Sequence, residues 1–358
     1  MSKFDLDAEL EGTFDLDAEL SEAADSPFAQ GLVATAPERD NPLPKFTRIW
    51  KRRNPRELDV LKLSPQAQKE IFSFVPQLDW YDIIVINTSA GKDSLVSMDV
   101  VDRLARRARV RDRIWVVHCD LGRVEHPGTK ELAAQHARVM GLPFYLAYSE
   151  EKGDLLEGIE ARLEKHKKDP VKGWPGKFAR FCTSGWKTAE VSKLVTRWIE
   201  TLEAPDGRSL GGRYADRYFG RPARVLNILG LRAEEGERGK RATLKMKGEA
   251  NSNRVVHEWL PVHGWPEEKV YRQMAKSKMR PHPWYAKGGK RLSCIICPLA
   301  GNEDIILGAM HYPELAAEYV ALQRKYDKPI KTTKAYGGRL EEMVKEGQRR
   351  KRLASKKK

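Results

Sequence analysis

Ile83-Ile84-Val85-Ile86 is an unbroken apolar, β-branched run that ends in the polar stretch Asn87-Thr88-Ser89-Ala90-Gly91-Lys92-Asp93-Ser94. Apolar residues then recur at Leu95, Met98, Val101 and Leu104, the spacing of a helix with one buried face. This reads as strand, tight loop, helix. The pattern repeats downstream. Residues 113–119 read as a second strand and residues 129–140 as a helix stopped by Gly141. Residues 144–147 read as a third strand, and residues 154–167 as helix. After a Gly-, Pro- and Lys-rich loop at 169–177, a helix is expected from about Trp186 to Leu202, and residues 225–231 read as a buried strand. Strands separated by helices of roughly 10–15 residues predict parallel βαβ units, an α/β Rossmann-like sheet. Ligands of such sheets bind beyond the C-terminal strand ends, where the Ser89 loop falls.

The flanks read differently. Residues 1–45 are acidic, low in apolar content and proline-bearing, so disorder is expected there. Within them Phe4-Asp5-Leu6-Asp7-Ala8-Glu9-Leu10 recurs unchanged from Phe14 to Leu20. The repeat suits a bivalent docking peptide for a protein partner, and equally a duplication in a neutral tail. A helical pattern starts at Ser64 after a basic segment, Lys51-Arg52-Arg53. Residues 205–222 and 236–255 read as loops. Four units are expected: an acidic tail (1–45), a nucleotide-binding domain (46–235), a Cys-bearing C-terminal region (236–330) and a basic tail (331–358).

Charge narrows the partners. The chain of 358 residues has a net charge of +15 despite its acidic start, so the body is more basic than the total. A basic body favours a polyanion, and nucleic acid is the expected partner, DNA ahead of tRNA. No run reaches the ~18 apolar residues of a membrane span, and no secretory signal is visible, so a cytoplasmic protein is expected. Four cysteines do not make a disulfide framework at this length, and Cys294 and Cys297 stand in C-x-x-C spacing.

The loop carries the chemistry. A helix N-terminus presents unpaired N–H groups to an anion, and Gly91 permits close approach of the backbone. Lys92 adds a point charge, and Ser89 and Ser94 add hydroxyls. The loop is too short for Gly, four residues, Gly-Lys-Ser/Thr, which excludes the P-loop kinase and GTPase pattern. Asp120 and Gly122 end the second strand on the same sheet edge. Arg180, Lys187 and Arg232 are cations at element ends. Cys182 with Cys294 and Cys297 makes a set of one plus two thiols. A lone C-x-x-C leaves a [4Fe–4S] cluster, zinc (with His257, His263 or His282 as fourth ligand) and no metal all open.

Ser-x-Gly-Lys-Asp-Ser resembles the pyrophosphate (PP) loop of ATP pyrophosphatases, with Ala90 where the commonest form has Gly. The order of Arg180-Phe181-Cys182-Thr183, Lys187, Gly230–Glu235, Trp265–Val270, His282–Tyr285, Gly288–Arg291 and Cys294-Ile295-Ile296-Cys297-Pro298 resembles the phosphoadenosine-phosphosulfate reductase superfamily over about residues 75–325. The branch it is most similar to includes the ATP-using subunit of DNA phosphorothioation systems. That resemblance implies an adenine nucleotide α-hydrolase fold and cleavage of ATP to AMP and pyrophosphate. Ser89, Ala90, Gly91, Lys92, Asp93, Ser94, Asp120 and Gly122 would bind nucleotide, with Mg²⁺. Lys92, Asp93, Arg180, Lys187 and Arg232 would act in catalysis. Cys182, Cys294 and Cys297 would hold a cluster, and a cysteine desulfurase or other donor would supply sulfur. The sulfonucleotide reductases of the superfamily use a cysteine in a C-terminal tail, and here no cysteine follows Cys297. Adenylation for sulfur transfer to nucleic acid is therefore the leading expectation. Sulfonucleotide reduction, sulfate adenylation and a non-catalytic nucleic-acid adapter are the alternatives.

Overall fold

The computed structural model describes residues 75–169, 172–176, 179–201, 222–235, 244–246, 254–277, 279–331 and 338–356. The acidic repeat, the Ser64 helix and almost all of the 205–222 loop lie outside these residues.

Six strands form one sheet: β1 (Ile83–Thr88), β2 (Ile114–Cys119), β3 (Phe144–Ala147), β4 (Ala223–Leu229), β5 (Leu244–Met246) and β6 (Arg254–Trp259). Their order is β3-β2-β1-β4-β6-β5. The first five in that order run parallel, and β5 closes one edge antiparallel to β6. The helices are α1 (Lys92–Arg107), α2 (Thr129–Val139), α3 (Leu155–Lys165), α4 (Ala189–Thr201), α5 (Glu267–Lys276), α6 (Asn302–His311), α7 (Pro313–Tyr326) and α8 (Leu340–Ser355).

The uninterrupted apolar strands follow from burial on both faces. Side chains alternate across the sheet, so Ile84, Ile86, Leu226 and Ile228 share one core with Leu95, Met98 and Val101 of α1 and Val270 and Met274 of α5. Ile83, Val85 and Val225 face the opposite core with Val191, Leu194, Val195 and Trp198 of α4. A third core joins Leu155, Leu156, Ile159 and Leu163 of α3 to Ile295, Ile296, Ile305, Ile306 and Tyr319 of the C-terminal region. Helix α3 begins with a reciprocal capping box. The Glu157 N–H donates to Asp154 Oδ1 at 3.0 Å, and the Asp154 N–H donates to Glu157 Oε2 at 3.2 Å.

Three expectations need correction. The sheet continues past residue 235, because 236–255, read as loop, contains β5 and the start of β6. Strand β6 carries His257 and Glu258 at buried positions, which breaks the alternation. The structure holds His257 by stacking on Trp80, with ring centroids 5.2 Å apart, and by a 3.0 Å hydrogen bond between Nδ1 and the Tyr81 hydroxyl, while Nε2 is buried without a partner among the described residues. Helix begins at Phe181, not Trp186, through a turn (Phe181–Thr183) and a π-helical turn (Ser184–Thr188) that Gly185 disguises in the sequence. The segment read as a basic tail contains α8, whose Leu340 and Met343 are fully buried beneath a charged face.

The sheet half and the C-terminal half meet at aromatic contacts around His126. Its ring lies 4.1 Å from that of Trp284 and 5.5 Å from that of Tyr312, centroid to centroid. Burial pushes the imidazole down to about 3, helped by the charges of His282, Lys287 and His311. The unfolded chain takes up a proton near the ordinary value of 6.5, which the folded chain refuses until about pH 3. Stability from this residue is thus complete above pH 6.5 and declines as pH falls toward 3. We expect it to make the protein about 2 kcal/mol less stable at pH 5 than at pH 7. Urea unfolding at both pH values, on the wild type and on His126→Phe, measures this. A pH slope unchanged in the variant would place the acid sensitivity elsewhere.

Candidate functional site

Strand β1 has β2 on one side and β4 on the other, so the strand order reverses there and leaves a crevice beyond their C-terminal ends. Asn87 near the end of β1 ties the two sides together: its Nδ2 donates to Asn227 Oδ1 of β4 at 2.6 Å and to the Ile228 carbonyl at 3.0 Å. The chain then turns through Ser89 and Ala90 into α1. The Ala90 N–H donates to Thr88 Oγ1 at 3.1 Å, and the Ser89 N–H donates to Ser94 Oγ at 3.2 Å. The Ser94 hydroxyl in turn donates to the Gly91 carbonyl at 3.0 Å. Ala90 sits at φ 55°, in the left-handed region that glycine adopts more cheaply. Gly91 caps α1 with no side-chain acceptor, which leaves the positive end of the helix to other groups. A Cβ on Gly91 would stand 3.2 Å from Ser89 Oγ and 3.3 Å from the Tyr285 hydroxyl.

The charged residues at this loop form one network. Lys92 is 3% exposed; its ammonium lies 3.0 Å from Glu267 Oε1 and 3.6 Å from Asp93 Oδ2. The rings of Tyr271 and Tyr285 flank it, each with its centroid 5.6 Å from the ammonium. Arg232, just beyond β4, is 5% exposed and places Nε 2.6 Å from Asp93 Oδ1. It also pairs with Glu234 and reaches Glu267 Oε1 at 3.5 Å. Burial works against the charge on Lys92, but Asp93, Tyr285 and Glu267 outweigh it and hold the proton more firmly than in water. The same balance holds for Arg232, where Asp93 is the main counterweight to burial. Tyr285 donates nothing to the loop: its oxygen accepts the Lys92 N–H at 3.1 Å, and burial pushes the phenol up to about 12.

The predicted residues fall into separate groups. Ser89 to Ser94 and Arg232 come together as above. Asp120 and Gly122 lie at the end of β2, where Asp120 Oδ1 accepts the Gly122 N–H at 2.9 Å and Oδ2 meets Lys130 at 3.3 Å. Gly122 takes φ 74°, and a Cβ there would overlap Asp154 Cβ at 2.3 Å, so the glycine is required by the turn and its packing. Arg180 precedes the Phe181 turn, its carbonyl accepting the N–H groups of Thr183 and Ser184. Among the described residues no carboxylate pairs with its guanidinium.

Lys187 lies with the thiols. Burial opposes its charge, and Cys294, Cys119, Glu125 and Cys182 together outweigh that and raise its pKa. Cys182, Cys294 and Cys297 pack against the same apolar cluster as Ile295 and Tyr319. The Cys119 thiol points at the Lys187 carbonyl, 3.9 Å away. Burial pushes Cys119 up to about 11 and Cys294 higher still. Among the described residues no group of three His, Cys, Asp or Glu side chains stands at metal-holding separation. In kind, a set of soft, partly buried thiols beside a fixed cation suits a thiolate-bound metal.

Four functional candidates went without a role in the sequence: Glu267, Tyr271, Tyr285 and the pair His118–Glu125. His118 is buried, with Nδ1 3.0 Å from the Thr88 carbonyl and Nε2 3.1 Å from Glu125 Oε2. Both neighbours accept, so the ring donates twice as an imidazolium. Burial opposes that charge, and Glu125 and the carbonyl together raise the pKa. Glu267 and Tyr285 lie in segments that carry the family resemblance, but their contacts with Lys92, like those of Tyr271 and of the His118–Glu125 pair, form only on folding.

Residues 83–300, more than half of the chain, match the phosphoadenosine phosphosulfate reductase domain family. An uncharacterized 37.8 kDa protein in gpa 5′region of Escherichia phage 186 is 25% identical over 156 residues, covering 42% of this chain and 40% of that protein. The chain thus spans about two fifths of that relative's length. Among solved structures, phosphoadenylyl-sulfate reductase from Candida auris, in its phosphate complex, is 13% identical with a TM-score of 0.35, covering 66% of this chain and 90% of that one. The U34-tRNA thiolase NcsA from Methanococcus maripaludis, with its [4Fe-4S] cluster, is 12% identical with a TM-score of 0.26, covering 69% and 71%.

Two substitutions test the loop geometry. A Cβ on Gly230 would lie 2.6 Å from the Ser94 nitrogen and 2.7 Å from the Asp93 carbonyl carbon. Gly230→Ala should therefore displace the start of α1 or cost about 1–3 kcal/mol, read by thermal unfolding. Ala90→Gly removes the left-handed penalty and, net of the added freedom of the unfolded chain, should stabilise by about 0.5–1 kcal/mol. A destabilised Ala90→Gly protein would show that the alanine methyl contributes more packing than its backbone costs.

Proposed function

The chain belongs to the phosphoadenosine phosphosulfate reductase family, and on that footing we propose that it binds the phosphate chain of ATP on Ser89–Ser94 and cleaves it to AMP and pyrophosphate. The observation that carries this reading is the convergence of the α1 N-terminus, whose cap residue Gly91 supplies no acceptor of its own, with the buried cations Lys92 and Arg232 on one crevice. Fixed cations aimed at a leaving group stabilise the charge it develops. Lys92 binds the phosphates. Arg232, held by Asp93, supports the pyrophosphate as the bond to the α-phosphate breaks. Gly91 and Ser94 keep the backbone close enough to bind. Mg²⁺ accompanies the nucleotide as its counter-ion.

The attacking group in this reading is a substrate oxygen, so the α-phosphate leaves the first step as an adenylated intermediate. A sulfur nucleophile then displaces AMP. The basic chain favours nucleic acid as acceptor, DNA ahead of tRNA, which is the reaction type of phosphorothioation and thiolation. A cysteine desulfurase or comparable donor supplies the sulfur as a persulfide, and two electrons from a thiol reductant bring it to the sulfide level. Cys182, Cys294 and Cys297 are the residues that would hold a [4Fe–4S] cluster, with zinc as the competing metal. Such a cluster would supply a place for sulfide beside the nucleotide site. Lys187, beside these thiols, balances their charge when they are deprotonated.

With nucleic acid and Mg²⁺ present, the full chain should release pyrophosphate from ATP. Lys92→Ala should lower the rate by about a hundredfold or more, as loss of a charge-stabilising group does. No pyrophosphate release from ATP under any of these conditions would refute the reading. Anaerobic purification with iron and acid-labile sulfide analysis tests the thiol site independently. Brown protein with absorbance near 400 nm is expected, lost in Cys182→Ser, and a colourless protein carrying one zinc would exclude the cluster.

A further inference from the structure

The phosphate-binding groups of the loop are already engaged by the protein itself. Glu267 Oε1 meets both cations at once, Lys92 at 3.0 Å and Arg232 at 3.5 Å. A single anionic oxygen therefore bridges the two buried charges, as a phosphoryl oxygen would. The hydroxyl of Tyr285 takes the Lys92 N–H at 3.1 Å, the first free donor of α1. Both groups come from the chain beyond β6, on α5 and in the loop after it.

The surroundings single out Glu267 as the replaceable partner. Asp93 lies next to Lys92 on α1 and is only 14% exposed. Glu267 is 51% exposed and approaches from another element, so its carboxylate can turn to water without moving the loop. Its neighbour Glu268 pairs with Arg272 and touches neither cation.

We propose that Glu267 is a built-in phosphate surrogate that sets the charge threshold of the nucleotide site. Its carboxylate holds Lys92 and Arg232 in the phosphate-binding arrangement while the site is free, and an incoming ligand must displace it. A carboxylate carries one negative charge. A phosphoryl group with more than one charge wins the exchange, whereas a singly charged phosphodiester gains little from it. The residue thereby keeps nucleic-acid backbone out of the site while admitting the oligophosphate of a nucleotide. This rests on the phosphate-site reading above.

The test is calorimetric titration of the full chain with inorganic pyrophosphate and with dimethyl phosphate, a singly charged diester. Glu267→Gln should bind pyrophosphate about tenfold more tightly than wild type and should bind dimethyl phosphate measurably where wild type does not. Glu268→Gln should match wild type. Thermal unfolding provides a second readout of opposite sign. Free Glu267→Gln should melt lower than wild type, because two buried cations lose a partner, yet gain more from added pyrophosphate. If Lys92→Ala abolishes pyrophosphate binding but Glu267→Gln leaves it equal or weaker, the surrogate role is overturned and the phosphate site stands. If Lys92→Ala leaves pyrophosphate binding intact, the phosphate-site reading itself fails.

Discussion

The structure turns on the close approach of Gly230, just beyond the end of β4, to the Asp93–Ser94 peptide in the first turn of α1. No side chain fits between them, since even a Cβ would fall 2.6 Å from the Ser94 nitrogen. That contact joins the two halves of the sheet where the strand order reverses and fixes the distance between the Ser89 loop and Arg232. From it follow the 2.6 Å Arg232–Asp93 pair and the burial of both cations at the crevice. Asn87, bonded across to Asn227, ties the same junction from within the sheet.

Burying Lys92 and Arg232 is costly unless each is paired and hydrogen-bonded. Here Asp93, Glu234 and Glu267 supply the pairing, at the expense of leaving the free site more negative than its two cations alone suggest. In the proposed reading a ligand phosphate would exchange one set of charge contacts for another instead of meeting bare cations, and only a ligand that replaces the lost contacts would gain from entering.

The thiol group obeys a different constraint. Cys182 precedes a π-helical turn that contains Lys187, Cys119 ends β2, and Cys294 and Cys297 come from the C-terminal half. Burial disfavours thiolate at Cys119, Cys294 and Cys297, while the Lys187 cation favours it. His118 and Glu125 connect this region to the phosphate loop through the Thr88 carbonyl. The two regions are thus joined by hydrogen bonds along the C-terminal ends of β1 and β2.

By itself, the sequence determined the strand–loop–helix around Ser89–Ser94, β2 and β3, the first three helices and the parallel α/β class. In these segments local periodicity and tertiary burial agree, because strands covered on both faces must be apolar throughout. Strand β6 escaped notice because its buried His257 is held by Trp80 and Tyr81, far away in the chain. The α8 helix was hidden by its charges, with Leu340, Met343 and Val344 reaching the core among many lysines and arginines. Tertiary structure alone decided that Lys187 joins the thiols, that Arg232 rests on Asp93, and that Glu267 and Tyr285 occupy the loop. Each is a contact between residues distant in sequence, whose partner is chosen by the folding of the sheet and leaves no periodic trace in the chain.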